Sequence, residues 1–182
     1  MPAPENKKYT ADEFFNITKD ADTERYELYK GEIIVLASPS IIHQRISREV
    51  SYALNSFIKS SGGKCEVFTA PTDVKLSEDT VVIPDIFIAC DPDKFDKQKY
   101  NGAPDFIIEI TSSNRSDDFI RKLAVYLETG VREYWIVDPD YKKVLVYFFE
   151  ESHFPNIYTF DVEIPVNIYN KKCKIKISEL IK

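Results

Sequence analysis

Two stretches of the chain carry apolar residues at helical spacing. Ile42, Ile46, Val50, Ala53, Leu54, Phe57 and Ile58 share one stripe of a helix over 42–58, with His43, Arg45, Arg48 and Glu49 nearer its rim and Gly62-Gly63 at its end. Phe119, Ile120, Leu123, Tyr126 and Leu127 form a second stripe, capped by Ser116 or Asp117 and closed by Gly130. Thr10 followed three residues on by Glu13 has the form of a capping box and predicts a short leading helix. Elsewhere the period is two. Residues 25–36 alternate around Gly31 as a hairpin or one bent strand, and 65–70, 72–76, 81–90 and 106–111 read as strands. A polar connection over 91–104 precedes the last of these. Strands over 133–138 and 143–149 flank a turn at Asp138-Pro139-Asp140. The remainder, 157–177, is strand-like with polar breaks. Its lysines 171, 172, 174 and 176 interleave with Cys173, Ile175 and Ile177, as in an edge strand guarded by charge. This order, with no repeat or linker, predicts one α/β domain over 1–182: a mixed central sheet flanked by helices, with additional N-terminal and C-terminal strands.

Composition narrows the possibilities. With 43% apolar residues, 12 Phe and 11 Tyr, the 182-residue chain has the material for a core and is not a disordered sequence. Only 5 Gly are present and no GxGxxG or GxxxxGK[ST] occurs, which removes dinucleotide and P-loop chemistry. Cys65, Cys90 and Cys173 are widely spaced and odd in number, with only His43 and His153 to accompany them. They predict reduced thiols and no structural zinc. No apolar run approaches the ~20 residues of a membrane span, so a soluble, cytoplasmic chain with no membrane partner is expected. The net charge of −6 argues against a general nucleic-acid coat, yet leaves room for a local basic groove. A metal-dependent phosphodiesterase gathers carboxylates of its own.

Three residues carry candidate chemistry. If the 81–90 strand runs unbroken, Asp85 shares a face with Ile83 and Phe87, and a carboxylate enters an apolar setting where it needs a cation. Otherwise Pro84 interrupts the strand and Asp85 emerges at its end. Glu109 lies in an apolar run with Ile107 and Thr111 on its face, either buried or on the wet side of a half-covered strand. Strands adjacent in sequence usually pair, so Asp85 and Glu109 can converge on one divalent ion. Lys122 either forms a surface pair with Asp118 or extends its stem across the apolar stripe toward that ion. Trp135 reads as core, on the opposite face from Tyr134.

An ordered series of blocks extends these hints: Tyr26-Glu27-Leu28 with Gly31-Glu32, His43, Val82-Ile83-Pro84-Asp85, Gly102 through Glu109, Asp118 with Lys122-Leu123 and Tyr126, and Gly130 through Pro139. Over about 9–149 the chain resembles the Uma-type endonuclease family of the restriction-endonuclease-like PD-(D/E)XK superfamily, with 150–182 as a C-terminal strand extension. The resemblance implies a restriction-endonuclease-like fold and a nuclease hydrolysing phosphodiester bonds, in DNA, with Mg²⁺ and Mn²⁺ as its substitute. Asp85 and Glu109, 24 positions apart, would be the metal ligands. Thr111 stands where the superfamily has lysine, and that lysine is displaced to Lys122 on the next helix. Glu27 would add a ligand or orient a water, with His43 and the Thr111 hydroxyl as accessories. Arg45, Arg48, Arg115 and Arg121 are candidate phosphate contacts, or simply a solvated face. A homodimer would suit cutting of both strands. Two alternatives stay open: a catalytically inactive nuclease-fold module binding nucleic acid or protein, and a self-associating protein that exchanges its C-terminal strands.

Overall fold

The computed structural model describes residues 7–21, 24–111 and 116–181. The first helix, α1 (Ala11–Thr18), opens on the predicted capping box: the Thr10 hydroxyl accepts the Glu13 N–H, and the Glu13 carboxylate accepts the Thr10 N–H. A hairpin follows, β1 (Arg25–Tyr29) with β2 (Glu32–Leu36). Lys30 and Gly31 at its tip both have positive φ, 46° and 82°, the backbone sense that matches strand twist. Ser40 caps α2 (Ile41–Ser60). Then come β3 (Glu66–Thr69), β4 (Asp73–Ser77), β5 (Thr80–Val82), β6 (Ile86–Ala89), β7 (Lys99–Asn101) and β8 (Phe106–Ile110). The chain continues through α3 (Ser116–Thr129), β9 (Glu133–Asp138), β10 (Lys143–Phe148), β11 (Asn156–Thr159), β12 (Ile164–Val166), β13 (Cys173–Ile175) and α4 (Ile177–Leu180).

The strands form a five-stranded sheet, β2-β1-β5-β4-β7, a six-stranded sheet, β11-β10-β9-β8-β6-β3, and the small pair β12-β13. Each of the two large sheets is mixed, with β4 and β7 parallel in one and β8 and β9 parallel in the other. A parallel neighbour needs a crossover, and α3 supplies it between β8 and β9. The six-stranded sheet is covered on both faces. On one, Ile46, Val50, Leu54 and Ile58 of α2 pack on Ile86, Ile108 and Trp135. On the other, Val125 and Tyr126 of α3 meet Phe87, Ile107 and Tyr134, together with Val74 and Tyr100 of the second sheet. Strands buried on both faces read as near-continuous apolar runs, which explains the sequences IFIA in β6 and FIIEI in β8. The predicted α/β class, mixed sheet and flanking helices are all present. No helix of the described residues is long and apolar enough to cross a membrane.

Four expectations need correction. The strand read over 81–90 is two strands in two different sheets, because Pro84 has no N–H for a ladder and the chain leaves one sheet for the other at Ile83-Pro84-Asp85. The polar connection over 91–104 contains β7, whose Tyr100 is fully buried. Ile42, placed on the buried stripe, is 38% exposed at the first turn of α2. Cys65 and Cys90 are not reduced thiols but a disulfide, since the antiparallel pairing of Glu66 with Ala89 sets the flanking cysteines face to face. Cys173 alone is a free thiol, buried as expected.

Candidate functional site

Position 85 lies one residue before β6, in the bend made by Pro84. Ile86 pairs with Ile108 and Phe87 with Ile107, so extending that antiparallel ladder by one pair sets Asp85 opposite Glu109. The chain has turned away at Pro84, and the Asp85 carboxylate takes the Ile110 N–H that a continuing strand would have used: Ile110 N donates to Asp85 Oδ2 at 2.8 Å. His43, one turn into α2, donates from Nε2 to the same oxygen at 3.0 Å. The ring is buried, and its Nδ1 has no hydrogen-bond partner among the described residues.

Glu109 is 5% exposed. Its Oε1 accepts from Lys122 Nζ at 3.0 Å and from the Tyr126 hydroxyl at 2.7 Å. Lys122 and Tyr126 are one turn apart on α3, so both point to the strand that the crossover helix covers. The same ammonium donates to Glu27 Oε1 at 3.0 Å, and that oxygen also accepts the Ile83 N–H at 2.8 Å. Alternation in β1 accounts for Glu27. Leu28 packs with Ala11, Phe14 and Val81 toward α1, which turns Glu27 to the opposite face. Lys122 is therefore buried between two acids, and the surface reading of this residue is set aside. Desolvation, reinforced by the charges of Asp85 and Glu27, pushes the Glu109 carboxyl up to about 8 against the pull of Lys122. Desolvation and then Glu109 raise the Tyr126 phenol well above its ordinary value, which keeps it a proton donor.

These groups share a cavity of about 280 Å³, walled by Glu27, Asp85, Glu109, Lys122 and His43. Of the predicted phosphate contacts, Arg48 lines it, whereas Arg45 and Arg121 are exposed and do not. Arg121 lies over the Tyr29 ring, 5.6 Å from its centroid. Arg115 is outside the described residues, as are the cap at the start of α3 and the side chain of Asp118. Thr111 does not line the cavity, and its N–H bonds the Val137 carbonyl. Two residues escape the sequence reading. The Tyr126 ring is core as predicted, but its hydroxyl reaches Glu109. Arg25 lines the cavity from the start of β1, and the signal was present: period two puts it on the face of Glu27.

With this geometry in view, the family comparison is decisive. A family model, Uma2, described as "Putative restriction endonuclease", matches residues 11–164. The chain belongs to the Uma2 family. The match takes in β10, β11 and the start of β12, farther than the resemblance over about 9–149 reached. A solved structure described as "a putative nuclease belonging to DUF820 from Anabaena variabilis ATCC 29413" is 25% identical, with a TM-score of 0.76, over 94% of this chain and 97% of that one. The fold is thus restriction-endonuclease-like, and the family to which the chain belongs is described as one of restriction endonucleases. No curated protein matches the chain significantly.

Proposed function

We propose that the chain hydrolyses phosphodiester bonds in DNA with a divalent cation held by Asp85 and Glu109. The observation that carries this reading is the meeting, at one cavity wall, of two carboxylates from neighbouring strands and an ammonium from the following helix. The donor set suits Mg²⁺, with Mn²⁺ as its substitute. Among the described residues no three His, Cys, Asp or Glu side chains form a ligand cage. Mg²⁺ takes one or two carboxylates and completes its shell with water and phosphate oxygens. When bound, such an ion polarises the scissile phosphate and lowers the pKa of a water.

The remaining work falls to the side chains. Lys122 holds positive charge beside Glu109, where negative charge grows on the phosphoryl oxygens. Glu27 ties that ammonium to the Ile83 N–H through Oε1, a positioning role that leaves its other oxygen to add a ligand or orient a water. His43 and Tyr126 each occupy one oxygen of an acid, so the other oxygen of Asp85 and of Glu109 is oriented toward its task. Asp85→Asn and Glu109→Gln should each reduce Mg²⁺- or Mn²⁺-dependent cleavage of DNA by about a hundredfold or more, with unchanged circular dichroism. Cleavage at the parental rate by either folded variant overturns the reading.

A further inference from the structure

Three carboxylates wall the cavity, and a polyanionic substrate approaching them is repelled unless cations face it. Of the lysine and arginine side chains in the lining, two are already committed. Lys122 is held at 3.0 Å by both Glu27 and Glu109, and Arg48 by its neighbour Glu49 at 2.6 Å. The third, Arg25, is exposed at the start of β1 and makes no ion pair or side-chain hydrogen bond among the described residues.

That freedom has a local cause. Period two puts Arg25 and Glu27 on one face of β1, about 7 Å apart at the strand rise, where opposite charges attract. Glu27 is withdrawn from such a pair: it is buried, and its Oε1 accepts both the Ile83 N–H and the Lys122 ammonium. Tyr26, between them, turns to the other face and packs on the α1 cluster of Phe14, Leu28 and Val81. An unbroken register with β2 sets Arg25 opposite Leu36, which also lines the cavity, so the backbone carrying Arg25 is fixed at the cavity edge. A guanidinium held there stays charged at any working pH and presents a planar fork that matches two phosphate oxygens at once.

Resting on the nuclease reading, we infer that Arg25 is a substrate-binding residue whose guanidinium grips a backbone phosphate next to the scissile one. Lys122 supplies the positive charge at the acids themselves, and Arg25, one step out along β1, draws the polyanion onto an acidic site. The contact is to phosphate oxygens, so it carries affinity and no base preference.

The test uses the tighter binder of a labelled mixed-sequence DNA duplex and its single strand. Binding is followed by fluorescence anisotropy across salt concentrations with Ca²⁺ replacing Mg²⁺, and cleavage by steady-state kinetics with Mg²⁺. Arg25→Ala should weaken binding about tenfold. It should also lower the magnitude of the log affinity against log salt slope by about 0.9 on a duplex or about 0.7 on a single strand, the value for one phosphate. In cleavage the loss should fall on KM with kcat unchanged, because the contact holds ground state and transition state alike. Arg25→Lys keeps the charge without the fork, so it should keep the slope and regain only part of the affinity. Lys174→Ala, in β13 and outside the cavity, should leave slope and KM at the parental values. An unchanged slope in Arg25→Ala, an equal fall in Lys174→Ala, or a loss confined to kcat each overturns the assignment. Isothermal titration of Mn²⁺ into the parent and Asp85→Asn separates this outcome from failure of the nuclease itself. If Mn²⁺ binding depends on Asp85 while the Arg25→Ala slope stays parental, only the phosphate contact falls; if the parent binds neither Mn²⁺ nor DNA, both fall.

Discussion

Glu109 shows how much one side chain is held against its preference. Its carboxyl, pushed up to about 8 from an ordinary 4.5, keeps in the folded state a proton that the unfolded chain has released over that window. The contribution to stability is therefore complete below about pH 4.5 and lost as pH rises through about 8. Glu109→Gln keeps an oxygen for Lys122 and Tyr126 without the charge. Without metal, it should melt higher than the parent at pH 8 and at nearly the same temperature at pH 5. A gain on the order of 1 kcal/mol would read as about 2–4 °C in a chain of this size. Added Mg²⁺ should raise the melting temperature of the parent and leave the variant unmoved. A difference constant with pH would contradict the burial account. At this scale the sequence was informative about identity and silent about state. It marked Asp85, Glu109 and Lys122, but an apolar neighbourhood cannot say whether Lys122 reaches the acids or solvent. Burial between Glu27 and Glu109 settles that.

At the scale of elements, helical period located α2, which buries one stripe along its length, while β9, buried on both faces, was legible as an apolar run beside a turn. Pattern failed at 81–90, where both halves are apolar and only pairing tells that β5 joins β1 and β4 while β6 joins β3 and β8. The point matters, because the interruption at Pro84, which the sequence offered as the alternative to an unbroken strand, is what frees Asp85 to accept from Ile110. The Cys65–Cys90 bond was equally hidden, 25 positions apart in sequence and decided by the β3–β6 register. A loop of that length closed by a covalent bond should contribute about 3 kcal/mol by restricting the unfolded chain. The Cys65→Ser, Cys90→Ser double variant should lose roughly 2–4 kcal/mol of unfolding free energy in urea under oxidising conditions. Equal stability of the two proteins would show that the thiols are not bridged in solution.

For the whole molecule, the C-terminal segment is docked through Glu133, which is fully buried on the α2 side of β9. Its carboxylate accepts from Trp135 Nε1, Asn167 Nδ2 and the Ile168 N–H at 2.8–2.9 Å. Three donors do not fully offset its desolvation, which still raises its pKa. Glu133→Ala would strand those donors beneath the surface, at about 3 kcal/mol or more. Its amide hydrogen exchange should quicken over 164–177 more than in α1; uniform exchange throughout would mean the segment docks by apolar contact alone.

What the chain by itself determined was local and periodic: the Thr10 capping box, the stripes of α2 and α3, the alternation that buries Trp135, and the acids and lysine with reactive potential. These follow from near-neighbour sterics and from solvent sorting apolar from polar positions. Only the tertiary structure decided which strands pair across Pro84, that Lys122 sits between Glu27 and Glu109, that His43 and Ile110 share one oxygen of Asp85, and that Arg25 and Arg48 line the same cavity. Those relations join residues tens of positions apart, and their geometry is set by sheet register and helix crossover, which no single window of sequence contains.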